Sequence, residues 1–239
     1  MQALHRPDTE IDAFLNKWKR FSFVRDRQTE RLIERKRYDE AIALLQTERI
    51  QSEDNLPREK QISETLLRIY QSAGQAENYR GELLFQISNF MQYNMQHIRE
   101  LRDITPECEW SQCVKWLLTL GRSAPQHKQI MAENGMWEQL FMVIAQEESL
   151  YALECYLEPL MRWDTEETMA CFSRLIDKAM QTAAHKKAYY SVLHRLRAIR
   201  PFDGRKTQIA RLLNKWEKQY PRRSAIQDEI QRIRREAIL

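Results

Sequence analysis

Residues 31–45 read RLIERKRYDEAIALL: an apolar pair, a basic turn, an aromatic residue and then apolar residues at helical spacing. Leu32 and Ile33 finish one helix face. Tyr38, Ala41, Ile42, Leu44 and Leu45 open the next. Three later stretches repeat this order. Ile69 and Tyr70 precede Gly74, then Tyr79, Leu83, Leu84 and Phe85 follow. Ile130 and Met131 precede Gly135, then come Met136, Trp137, Leu140, Phe141 and Ile144. Ala183 and Ala184 precede Tyr189, Val192, Leu193 and Leu196. An antiparallel helix pair leaves an apolar face that only the next pair can bury, so such units stack. Tyr38, Tyr79, Trp137 and Tyr189 are accordingly read as packing positions.

Apolar stripes of the same period run between these copies, for instance Ile62, Leu66 and Ile69, or Met169, Phe172 and Ile176. Pro57, Pro106, Pro125 and Pro221 sit where helices begin, where a missing N–H costs nothing. Thr105 and Asp164 are expected as N-caps, and Gly74, Gly121 and Gly135 as left-handed C-caps. With 5 Gly and 7 Pro in 239 residues, the many tight turns of an all-β fold are not supplied. The expectation is an all-α chain of ten to twelve helices, an irregular TPR-like α-solenoid of stacked helix pairs. It is divided into a mobile start (1–11), an N-terminal half (12–122) and a C-terminal half (123–239) that ends in a basic helix pair.

Charge is unevenly distributed. Residues 185–239 carry 15 Lys and Arg against 5 Asp and Glu, and residues 1–184 carry 23 against 29. The acidic extreme is 133–177, where Glu147, Glu148, Glu154, Glu158, Glu166 and Glu167 are candidates for an acidic partner surface. Lys186, Lys187, Arg195, Arg205, Arg211, Lys215, Arg222 and Arg223 are candidates for phosphate contacts. The simpler reading is that the two segments attract each other within the molecule or across a dimer.

No apolar run reaches the roughly 18 residues a bilayer crossing needs, so no membrane partner is expected and the setting is read as cytoplasmic. Cys108, Cys113, Cys155 and Cys171 are read as buried thiols without disulfides. Cys108 and Cys113 with His97 and His127 are the best local metal candidates, but their spacing is poor. The five glycines are too scattered for a phosphate loop, and no nucleophile, base and orienting group fall into a catalytic pattern. No enzyme activity, metal, cofactor or small-molecule substrate is expected.

The run from Phe14 to Leu118, with FLNKW, RLIERKRYDEAIALL, LLRIYQSAG, ENYRGELLFQI and MQHIRELRDITPECEW, resembles the α-helical region that follows the zinc finger in bacterial SWIM zinc-finger proteins. ENGMWEQLF, the Thr165-Glu166-Glu167 helix, AYYSVLHRLRAI and LLNKWEKQYPRRSAIQDEI extend the resemblance across residues 12–232. The family's Cys-x-Cys and distant Cys-x-His are absent, so no zinc ligand carries over. The resemblance implies the helical part alone. The function expected is a non-catalytic helical-repeat scaffold for protein–protein interaction, as or with the accessory region of a zinc-finger protein. The alternative is a nucleic-acid-associated protein that uses the basic C-terminal helices.

Overall fold

Short polar side chains and left-handed turns set where the helices start and stop. A computed structural model describes residues 8–52, 55–90, 94–120, 125–199 and 205–237, and all regular structure in them is helical. The chain divides into two compact units, 1–126 and 127–239. The first contains α1 (Asp8–Trp18), α2 (Ser22–Glu34), α3 (Tyr38–Gln51), α4 (Leu56–Ala73), α5 (Ala76–Asn89), α6 (Met95–Ile104) and α7 (Glu107–Thr119). The second contains α8 (Pro125–Glu133) from residue 127 on, α9 (Trp137–Glu147), α10 (Leu150–Cys155), α11 (Leu157–Trp163), α12 (Thr165–Thr182), α13 (Lys186–Arg195), a 3-10 turn (Leu196–Ile199), α14 (Arg205–Gln219) and α15 (Ser224–Ala237).

One turn recurs three times. Lys36, Gly74 and Gly135 adopt φ of 58°, 68° and 66°. In each case the next residue's N–H reaches back five residues to a carbonyl: Arg37 to Leu32 at 2.8 Å, Gln75 to Tyr70 at 2.9 Å and Met136 to Met131 at 2.9 Å. This is the Schellman closure, which satisfies the last free carbonyls of a helix and turns the chain into the next one. N-termini are closed by Asn55, Asn94, Ser149 and Asp164, whose side chains accept backbone N–H bonds at 2.8–3.1 Å.

Several expectations change. Among the described residues there are fifteen α-helices, more than the ten to twelve expected, because breaks such as Tyr156 between α10 and α11 carry neither Gly nor Pro. Residues 8–11 are the first turn of α1, where the mobile start was expected, and Asp8 is held by Arg31 at 2.9 Å and Arg35 at 2.8 Å. Thr105 does not cap α7; its hydroxyl donates back to Leu101 O at 2.6 Å and closes α6. Gly121 lies outside the described residues.

In the first unit each helix from α1 to α6 packs on its neighbour in sequence. Part of its core is Ala41, Leu45, Ile62, Leu66, Ile69 and Tyr70, with Tyr38 and Tyr79 packed on the edge. The second unit is knit more widely: α9 meets α10 and α11, α12 meets α10, α11, α13 and α14, and α15 meets α13 and α14. Its core centres on Leu140, Ile144, Leu160, Phe172, Ile176 and Trp216, all fully buried. No described helix is long and apolar enough to cross a membrane.

A β-carbon at Gly74 meets open space, so its substitution is penalised by φ alone. Gly74→Ala should lower the unfolding free energy by about 1–2 kcal/mol, read from urea denaturation.

Candidate functional site

Carboxylates on amphipathic helices ordinarily face water, yet the first unit buries two. Glu48 on α3 is 1% exposed, and its Oε1 accepts from Arg25 Nη2 on α2 at 2.7 Å and from Arg58 on α4 at 3.0 Å (Nε) and 2.8 Å (Nη2). Arg58 also donates to Asp26 on α2 at 2.5 Å, so two guanidinium and two carboxylate groups form one neutral cluster. Glu82 on α5 accepts from Arg49 on α3 and from the Ser63 hydroxyl on α4. Burial alone would favour the neutral Arg58, but its bonds to Asp26 and Glu48 outweigh this and raise its pKa. Tyr79 of the repeated pattern donates to Glu100 at 2.7 Å; burial and that carboxylate push its pKa up to about 12.

Three of these contacts join helices that are two apart in sequence: Arg58–Asp26 spans α2 and α4, Arg49–Glu82 spans α3 and α5, and Arg80–Glu109 spans α5 and α7 at 2.5 Å. Beside the last pair lies an open groove of about 720 Å³. Its walls are Leu84, Phe85 and Ser88 of α5, and Gln112, Cys113 and Trp116 of α7. Gly81 of α5 also lines it. This glycine stands inside a helix with an ordinary φ, and a β-carbon there would touch nothing. A glycine inside a helix costs about 0.5–1 kcal/mol relative to alanine. No contact among the described residues offsets that cost. The sequence reading passed over the groove because it took Gly81 only as one of five scattered glycines.

The charged candidates of the second unit fall into two groups. Arg195 binds Glu154; Lys215 binds Asp177 at 2.7 Å; Arg223 donates to the Tyr189 hydroxyl at 2.5 Å and lies over the Tyr189 and Tyr220 rings. These three hold helices together. Lys186 lies 5.5 Å from the Tyr190 ring centroid and stays exposed, as do Lys187, Arg211 and Arg222, and none of the four has a carboxylate partner among the described residues. The Arg205 side chain lies outside the described residues. On the acidic side, Glu147 pairs with Lys128 at 2.7 Å, Glu148 with Arg174 and Lys178, and Glu158 with Arg162 at 2.5 Å. Glu166 and Glu167 remain exposed in the first turn of α12, where the helix dipole favours them. Two ion pairs among the described residues, Arg195–Glu154 and Lys215–Asp177, join the basic segment to the acidic one.

Among the described residues no three His, Cys, Asp or Glu side chains converge as a metal site. All four cysteines are free, but Cys108 and Cys155 are exposed and Cys113 is half-buried, so only Cys171 meets the expectation of a buried thiol. Cys108 lies in the first turn of α7 and Cys155 is the last residue of α10, on faces no other helix covers closely. Burial raises the Cys113 and Cys171 thiols and so disfavours the reactive thiolate. His185, among the basic residues, is an N-cap whose Nδ1 accepts from Ala188 N at 3.2 Å.

No protein-family model matches the chain, and no curated protein or solved structure matches it either.

Glu48→Ala removes the buried carboxylate that Arg25 and Arg58 share, and should cost about 3–5 kcal/mol in urea denaturation. Asp177 gives a pH test. Burial pushes its pKa up, but bonds from Lys215 and from Trp216 Nε1 at 2.8 Å outweigh this and hold it below the ordinary 3.8. A depressed folded pKa gives stability that is present above 3.8 and lost as pH falls through the folded value. Asp177→Asn should thus cost about 1.5 kcal/mol at neutral pH. The gap from the parent should narrow only below pH 3.8, in denaturation curves taken from pH 7 to pH 2.5.

Proposed function

We propose that this chain is a non-catalytic helical-repeat scaffold, a TPR-like α-solenoid in the first unit, whose α5–α7 groove receives a segment of a protein partner. The observation that carries the reading is Gly81, a helix-destabilising residue that lines an open groove and at which a β-carbon would meet nothing. A glycine inside a helix lowers the helix's stability and puts no side chain into the groove, which leaves room for a bound segment. Leu84, Phe85 and Trp116 offer apolar wall, and the Arg80–Glu109 pair on the rim offers polar contacts for orientation.

The solenoid part draws support from the left-handed turns at Lys36 and Gly74 and from the ion pairs that bind alternate helices side by side. The resemblance to the helical region of bacterial SWIM zinc-finger proteins fits an accessory, partner-holding role, as or with such a protein. Four free cysteines suit a reducing cytoplasm.

The nucleic-acid reading keeps one observation in its favour, the exposed Lys186, Lys187, Arg211 and Arg222. Lys215, Arg195 and Arg223, which the sequence also nominated, are engaged in packing the unit.

One glycine separates stability from binding. Gly81→Ala should raise the unfolding free energy by about 0.5–1 kcal/mol, because it relieves helix entropy and meets no neighbour. Gly81→Leu, equally well folded by circular dichroism, should lose a partner that the parent protein retains from an extract of its own cells. Identical retained proteins on both would sink the groove reading. Salt-sensitive anisotropy with single- and double-stranded DNA, abolished by Arg211→Glu/Arg222→Glu, would replace it with the nucleic-acid one.

A further inference from the structure

The hairpin formed by α1 and α2 carries, at its tip, an aromatic row that the groove does not use. Ring centroids step from Phe14 to Trp18 by 6.4 Å, from Trp18 to Phe21 by 6.1 Å and from Phe21 to Phe23 by 5.8 Å. Phe14, Phe21 and Phe23 are 55%, 41% and 69% exposed. Three exposed phenylalanines in ten residues form a contiguous patch rather than scattered surface apolar groups, and such a patch marks an interaction surface.

Its charge is one-sided. From Ala13 to Arg25 the sequence holds four cations and no carboxylate. Arg25 is used internally: Nη1 donates to the carbonyls of Lys19 and Arg20, each at 3.0 Å, while Nη2 binds Glu48. That clamp fixes the α1–α2 connection against the core. Lys17, Lys19 and Arg20 have no carboxylate partner among the described residues. Lys17 Nζ lies 5.8 Å from the Trp18 centroid, and the Arg20 guanidinium lies 5.4 Å and 4.8 Å from Trp18 and Phe21. Ile50 and Leu56, 71% and 55% exposed, lie two residues beyond Glu48 and two before Arg58. Since Glu48 and Arg58 meet Arg25 and Asp26, both apolar residues stand at the same end of the helices as Phe23.

We propose that this tip is a peripheral attachment site for an anionic lipid surface. Aromatic side chains settle at the boundary between headgroups and acyl chains, and Lys and Arg beside them meet anionic headgroups. Exposed aliphatic residues at the same end extend the inserting surface. A nucleic acid would need ring faces open for stacked bases, and here Lys17 and Arg20 lie over the rings while the rings pack on one another. The sequence reading expected no membrane partner because no run can span a bilayer. Surface attachment needs no such run.

Sedimentation of the full chain with vesicles of equal parts phosphatidylglycerol and phosphatidylcholine, at low salt, tests it. The parent protein should bind these vesicles and bind pure phosphatidylcholine far less. Phe21→Ser/Phe23→Ser should reduce the bound fraction roughly tenfold. Lys17→Glu/Lys19→Glu/Arg20→Glu should remove the preference for phosphatidylglycerol. Both variants change exposed side chains and should keep the parent's circular dichroism and urea midpoint. Absence of vesicle binding, equal binding to both vesicle types, or binding kept by the phenylalanine variant would each overturn the proposal. So would self-association in sedimentation velocity that the phenylalanine variant abolishes without any vesicle binding, which would assign the tip to a second copy of the chain.

Discussion

The carboxylate of Glu48, almost wholly removed from water, sets the arrangement of the first unit. A lone buried carboxylate would be strongly unfavourable, so its charge must be met by donors placed within hydrogen-bond reach. Arg25 comes from α2 and Arg58 from α4, which means that Oε1 of Glu48 on α3 meets its donors only when three helices take one mutual position. Apolar stripes tolerate some sliding; a charged fork does not. The same Arg25 reaches the Lys19 and Arg20 carbonyls, so the exposed tip of the first hairpin inherits its shape from this buried contact.

Glu82 repeats the arrangement one helix further on with Arg49 and Ser63, and Arg80–Glu109 repeats it with more exposure. The series grades from buried to open along the first unit. At its open end a groove runs beside α5 and α7, with Gly81 among its lining residues. A glycine inside α5 gives up helix stability at this point, and a methyl group there would touch nothing.

The second unit uses charge differently. Its acidic and basic stretches are separated in sequence but paired in space, through Glu154 with Arg195 and Asp177 with Lys215 and Trp216. Part of the basic excess of the last helices is therefore structural. The cations that remain exposed lie on faces set by the same helix packing, with Arg211 opposite the buried stripe of Ile209, Leu212, Leu213 and Trp216 on α14.

The sequence by itself determined the helical character of the chain, the apolar faces and the left-handed stops at Gly74 and Gly135. These depend on local periodicity and on φ, which a short stretch of residues decides alone. It also made Tyr38, Tyr79, Trp137 and Tyr189 legible as packing residues, since their spacing places them on those faces. It left hidden that Lys36 takes the turn position occupied elsewhere by glycine, because a lysine carries no sign of positive φ. Only the tertiary structure decided which charges are interior. Glu48 and Glu82 look like ordinary solvent-facing carboxylates until helices from distant stretches bring arginines to them. The same holds for the groove beside Gly81. A glycine's vacancy acquires meaning only when the surrounding helices leave it uncovered, and that depends on packing at long sequence separation, which no local pattern encodes.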